Sequence, residues 1–253
     1  MFPNRPGPEL VEAVVKAEEL DLDEIWLADE GIARDPMVVL AAAARETSRI
    51  TLATGVTSPL LRHPGSLAAA AATLDEISGG RFRLGLGIGG VKSLGPFGLV
   101  AERPVGALRD AIATVPAVLA VEKGHGYQPA DHAFGPRSVE VWVGARGPKM
   151  IAMAADVADG VFLSGCSPEQ HDEIIGRARL VNSEIGTALY QSASDLVNSP
   201  TVCSWAEVSN LLAGEWRRFR PTSIGINLVD LMSGDTDAGA AVERAADVLH
   251  QIG

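Results

Sequence analysis

Val139-Glu140-Val141-Trp142-Val143-Gly144-Ala145-Arg146-Gly147-Pro148-Lys149-Met150 changes character half-way along. The first five residues form a β-branched and aromatic run of the kind that fills a buried strand. Two glycines and a proline then break it, and Pro148 suits the first turn of a helix. That helix is predicted over Pro148–Val157, and a second apolar strand follows at Gly160-Val161-Phe162-Leu163-Ser164. Strand, tight turn, helix and strand in this order make a parallel βαβ unit. The same alternation extends outward. Upstream, helices are predicted over Pro8–Leu20, Asp35–Arg45, Pro64–Ser78 and Val105–Leu119, and strands at Ile25–Ala28, Ile50–Val56 and Phe82–Gly87. Downstream, Ser167 and Gln170 have capping-box spacing, a signal that Ser204 and Glu207 repeat. Thr222–Leu228 reads as a last strand and Ala238–Leu249 as a last helix. Six strands are clear, a weak seventh lies near Thr187–Tyr190, and none precedes the first helix. Alternation over 253 residues fits a single α/β domain, residues 1–253, in which a parallel sheet carries helices outside. A (β/α)8 TIM-type barrel and a doubly wound open sheet both satisfy that pattern.

The loops at strand ends carry the candidate chemistry. Gly144 and Gly147 bare backbone amides at a helix start, and Arg146 and Lys149 add positive charge to a chain of net charge −11. Exposed amides at a helix N-terminus bind phosphate or carboxylate. Gly85-Leu86-Gly87-Ile88-Gly89-Gly90 matches the Gly-x-Gly-x-x-Gly pattern literally, but Gly95-Pro96 and Gly98 oppose the helix a dinucleotide site needs there. It reads as a strand end where something approaches the backbone closely. Asp29-Glu30 close a buried strand at the end where chemistry collects in parallel sheets. Gly55 before Val56 and Thr57 suggests an unusual backbone. The five histidines show no metal-ligand spacing, so no metal is expected; His63 stands out only by following a strand-end loop. There is neither a Walker A ending nor a Gly-x-Ser-x-Gly elbow. Cys166 and Cys203 form no disulfide framework and read as small buried hydrophobes. The acidic balance and 5% aromatics oppose binding to nucleic acid or to an anionic membrane. Met1-Phe2-Pro3-Asn4-Arg5-Pro6 has no apolar leader and no stretch matches a membrane span, so a cytoplasmic protein is expected.

Together these segments resemble the luciferase-like flavin monooxygenases, in the branch of coenzyme F420 (deazaflavin)-dependent oxidoreductases that includes methylenetetrahydromethanopterin reductase. The resemblance rests on Ala17–Asp29, on Arg49–Pro59, on Arg62-His63-Pro64 through Thr73–Arg81 to Gly87, and on Val141–Met150 through Ala158–Val161. It covers roughly residues 8–165, and both ends look shortened, since relatives begin with a strand before the first helix. It implies a TIM barrel, incomplete here, with the cofactor at the C-terminal ends of the strands. It implies a cis peptide at Gly55–Val56 behind the ring, with Thr57 and Gly87 beside it. It places the cofactor phosphate on Gly144, Ala145, Arg146, Gly147 and Pro148. Asp29, Glu30 and His63 are the candidate catalytic groups, Glu30 standing where many relatives have histidine. Gly90 replaces the glutamate of the sugar-phosphate branch, and Cys166 falls near that branch's phosphate-contacting lysine; both oppose glucose 6-phosphate as substrate. The expected activity is hydride exchange between coenzyme F420 and a small organic molecule, in a homodimer. An FMN-dependent monooxygenase, a non-catalytic cofactor-binding relative and a flavin-independent phosphate-ester enzyme are the rivals.

Overall fold

The computed structural model describes residues 5–123, 126–130, 135–192, 205–228 and 238–252. His125, His132, Cys203 and Ser204 lie outside these residues, as does the side chain of Glu207.

Among the described residues seven strands form one sheet, paired in chain order and parallel throughout. They are β1 (Glu24–Leu27), β2 (Thr51–Thr54), β3 (Phe82–Leu86), β4 (Glu140–Gly144), β5 (Gly160–Ser164), β6 (Gly186–Ser192) and β7 (Ser223–Asn227). The helices are α1 (Gly7–Glu19), α2 (Pro36–Glu46), α3 (Pro64–Ser78), α4 (Val91–Leu94), α5 (Pro104–Leu119), α6 (Pro148–Val157), α7 (Pro168–Val181), α8 (Trp205–Phe219) and α9 (Ala238–Leu249). Among the described residues this is the curled, incomplete sheet of a TIM-type barrel, and its sequential strand order decides against the open doubly wound alternative. The weak strand near Thr187–Tyr190 is a full member, β6. The glycine-rich segment after β3 is followed by one helical turn, α4, and a 3-10 turn at Gly95–Phe97.

Local signals account for the elements. Leu10, Ala13, Val14 and Ala17 form the buried face of α1 at helical spacing. Asp35 caps α2 by accepting from the Met37 and Val38 amides at 2.9 and 3.3 Å. Gly79, at φ 69°, ends α3 in the left-handed conformation that a side chain disfavours. The Ser167–Gln170 capping box opens α7.

Two cores result. The larger lies between sheet and helices; the smaller fills the barrel and comprises Trp26, Ala53, Trp142, Phe162 and Ala188. Trp26 stacks on Phe162 at 4.5 Å between ring centroids and meets Trp142 edge-on at 5.7 Å. Beneath the rings, Arg83 pairs with Glu24 and Glu140, both at 2.7 Å, and lies 4.6 Å over Trp142. Trp26 Nε1 and the Tyr190 hydroxyl both donate to Glu24, at 2.7 and 2.6 Å. Burial and the Glu24 carboxylate hold the Tyr190 phenol well above its ordinary pKa. Glu24 and Arg83 thus join the barrel floor into one polar network.

Candidate active site

The C-terminal ends of β1 to β5 enclose a cavity of about 810 Å3. Its lining includes Asp29 and Glu30 after β1, Gly55 and Val56 after β2, Gly87–Gly90 after β3, Gly144–Met150 after β4, and Phe162 and Ser164 of β5. A chamber of about 250 Å3 adjoins it, floored by Trp26, Phe162 and Tyr190.

Val56 is the wall between two bare backbones. A Cβ on Gly87 would lie 2.4 Å from its Cγ2, and one on Gly144 3.1 Å from its Cγ1. The Gly55–Val56 peptide bond is cis, as the resemblance implies. Beyond it the chain rejoins the sheet: Thr57 N–H donates to Gly85 O at 2.9 Å, and Gly87 N–H donates to Thr57 O at 2.8 Å. Thr57 is buried and is not among the cavity-lining residues.

At the β4–α6 turn, Gly147 occupies the N-cap of a ten-residue helix and offers no side chain to its amides. A Cβ there would meet nothing within 4 Å, and Gly147, Lys149 and Met150 of this uncapped helix start line the cavity. Such donors with the helix dipole behind them suit an anion. Ala145 is buried beneath the turn. The Arg146 side chain crosses the mouth and donates to Ser164 O on β5 at 2.7 Å, lining both the cavity and the chamber.

The two neighbouring acids differ. Asp29 accepts from the Thr57 hydroxyl at 2.6 Å and from the Gly31 amide at 3.1 Å, tying the end of β1 to β2. Glu30 is half-buried on the cavity wall, and burial raises its pKa; Lys92 opposes the shift and Asp29 adds to it. His63 is not in the lining: it is the exposed N-cap of α3, its Nδ1 accepting from the Gly65 amide at 3.1 Å. Its ring is used by a helix end, and the sequence signal for it, a position just before Pro64, is equally a capping signal. Ile88 and Gly89 belong to the glycine-rich stretch after β3, whereas Ser93, Val105, Phe162 and Ser164 also line the wall without a signal of their own in the sequence. Phe162 and Ser164 were legible only as members of a strand. Among the described residues no cluster of His, Cys, Asp or Glu is suited to a metal ion.

A model of the luciferase-like monooxygenases matches residues 3–191. The chain belongs to that family. It is 33% identical over 176 residues to a 5,10-methylenetetrahydromethanopterin reductase from Methanolobus tindarius, covering 67% of this chain and 54% of that one. It thus spans about half the length of this curated relative. Its fold resembles the coenzyme F420-dependent tetrahydromethanopterin reductase of Methanopyrus kandleri, with a TM-score of 0.67 at 22% identity over 96% of this chain and 81% of that one. It also resembles the oxygenating constituent of 3,6-diketocamphane monooxygenase from Pseudomonas putida in complex with FMN, with a TM-score of 0.64 at 19% identity, covering 86% and 73%. At those identities the two structures speak to fold alone. In this luciferase-like chain the residues present fit a phosphate-bearing ring cofactor: an uncapped helix start at one end of the cavity, and the Val56 wall, kept close by glycines, along its side. No described helix is long and apolar enough to cross a membrane.

Proposed function

We propose that this chain is an oxidoreductase that exchanges a hydride between coenzyme F420 and a small organic substrate. The observation that carries the reading is the uncapped α6 N-terminus opening on the same cavity that Val56 and Glu30 line. The amides of the Gly144–Lys149 turn hold the phosphate, with Lys149 adding charge. Val56 supports the ring from behind, its approach secured by Gly87 and Gly144. The deazaflavin supplies the hydride chemistry when bound. Glu30 holds or delivers the proton that balances the hydride on the substrate, a role suited to a carboxyl whose pKa burial has raised. Asp29 positions it by fixing the β1 loop against Thr57. Similarity to a relative named as F420-dependent, a glucose-6-phosphate dehydrogenase of Beutenbergia cavernae 33% identical to this chain, favours F420 over FMN.

The test is titration of the purified protein with F420 and separately with FMN, followed by cofactor fluorescence. Saturable binding of F420 at about micromolar Kd supports the reading. FMN binding alone replaces it with a monooxygenase of the same fold. Binding of neither by the folded protein overturns it.

A further inference from the structure

The backbone of Arg146 belongs to the β4–α6 turn, but its side chain works elsewhere. The guanidinium reaches across to the end of β5, where it donates to Ser164 O at 2.7 Å. Among the described residues it forms no ion pair. A single carbonyl leaves most of its N–H donors to spare. Ser164 holds a second donor as well: its hydroxyl accepts from the Asn227 side-chain amide, on β7, at 3.2 Å. A cation from the β4 turn and an amide from β7 are thus fixed on one serine, and all three residues line the smaller chamber.

The rest of that chamber limits what it can take. Its volume of about 250 Å3 leaves room for a molecule of about ten non-hydrogen atoms. Part of the lining is flat and aromatic: Trp26 and Phe162 stack with 25° between their planes, and Tyr190 lies 5.2 Å from Phe162. The Tyr190 hydroxyl is committed to Glu24. Arg146 and Glu30 are the other ionisable groups of the lining. Burial favours the protonated form of Glu30. With that proton in place the chamber carries one formal charge, and it is positive. One charge matches a monoanion. The second charge of a phosphate ester would find no counter-charge in the lining.

We propose that this chamber is the substrate subsite, and that Arg146 selects a small planar acid whose carboxylate is conjugated to a reducible carbon–carbon double bond. The inference rests on the proposed hydride exchange and adds its substrate class. The guanidinium fork matches the two oxygens of a carboxylate. The rings of Trp26 and Phe162 take the flat conjugated part. The double bond accepts the hydride at the carbon remote from the carboxylate and the proton of Glu30 at the nearer one. The π bond breaks, two C–H bonds form, and the two electrons come from the reduced deazaflavin. Glu30 is left ionised and regains a proton from water. Negative charge builds on the carboxylate oxygens as the hydride arrives, and Arg146 stabilises it there.

The probe is trans-cinnamate, a planar monoanion of the chamber's size, titrated into the full chain by calorimetry without cofactor. Cinnamyl alcohol is its neutral counterpart and phenyl phosphate the dianion. Cinnamate binds saturably, and the alcohol and the phosphate bind at least about tenfold more weakly. Arg146→Gln weakens cinnamate by about tenfold or more, while the alcohol, F420 and the melting temperature respond as in the parent. No cinnamate binding, equal affinity for acid and alcohol, or undiminished cinnamate binding by the variant overturns the proposal. So does a variant that loses affinity for F420 instead of cinnamate, which would make Arg146 a partner of the cofactor phosphate. The hydride reading fails by a different result, a parent chain that binds no F420, and the substrate role then falls with it whatever the acid does.

Discussion

Val56 presents its two γ-methyls to two different glycines, so three positions from three strand ends define one wall. Gly87→Ala places a methyl 2.4 Å from Cγ2 and has no flexible neighbour to push aside. It is expected to cost about 1–3 kcal/mol by overpacking and to weaken cofactor binding, read by thermal melts and fluorescence titration. Gly147→Ala meets nothing within 4 Å and should leave stability within about 0.5 kcal/mol of the parent. Glu30 carries a second prediction. Its raised pKa means that the folded chain disfavours the charged carboxylate, so at neutral pH ionised Glu30 is a destabilising group. Glu30→Gln should raise Tm at pH 7–8 by about 1–3 °C while lowering turnover sharply. If Glu30 acts as the acid, turnover of the parent falls as pH rises through its elevated pKa, and the variant lacks that limb. Both acids were visible in the sequence as a strand-end pair. Their division of labour was not, because the hydroxyl that occupies Asp29 belongs to Thr57, on another strand end.

At the level of elements, single side chains join segments remote in sequence. The Glu18 carboxylate on α1 accepts from the amides of Ser48, Arg49 and Ile50, at the start of β2. Burial opposes its ionisation, but these hydrogen bonds prevail and hold its pKa at about 2, below the ordinary 4.5. A depressed pKa stabilises the fold above the unfolded value, and that stability is lost as pH falls from about 4.5 through 2. Glu18→Gln should cost about 1–2 kcal/mol at pH 7, after allowance for solvent, and flatten the acid limb of the Tm profile over that range. Arg83 does the same work inside the barrel, bridging Glu24 of β1 and Glu140 of β4 from β3. Arg83→Leu leaves Glu24 buried without its counter-charge and should cost about 3–5 kcal/mol in urea unfolding. This network also explains why β6 was faint in the sequence. Thr187 and Gln191 are buried polar residues, and Tyr190 turns its hydroxyl to Glu24, so the apolar run that marks other parallel strands is interrupted. Helices punctuated by proline and glycine, such as Pro64–Ser78 before Gly79, were legible to the residue because their end signals are local.

For the molecule as a whole, the ring of helices is closed where the sheet is not. Contacts of α1 with α9 join the two ends of the described chain, so one unit should unfold in one step. Trp26 and Trp142 lie inside the barrel and report its opening by fluorescence, while far-UV circular dichroism reports mainly the helices. The two urea transitions should coincide, and a fluorescence change preceding the helical one would show that barrel and ring come apart separately. Trp26 and Tyr190 also line two spaces, a cavity of about 500 Å3 beside β1 and β7 and the chamber beside the active site. A shared partition makes the two spaces partners in thermodynamic linkage. Whatever shifts these rings from one side alters affinity on the other, by a factor that is the same in both directions.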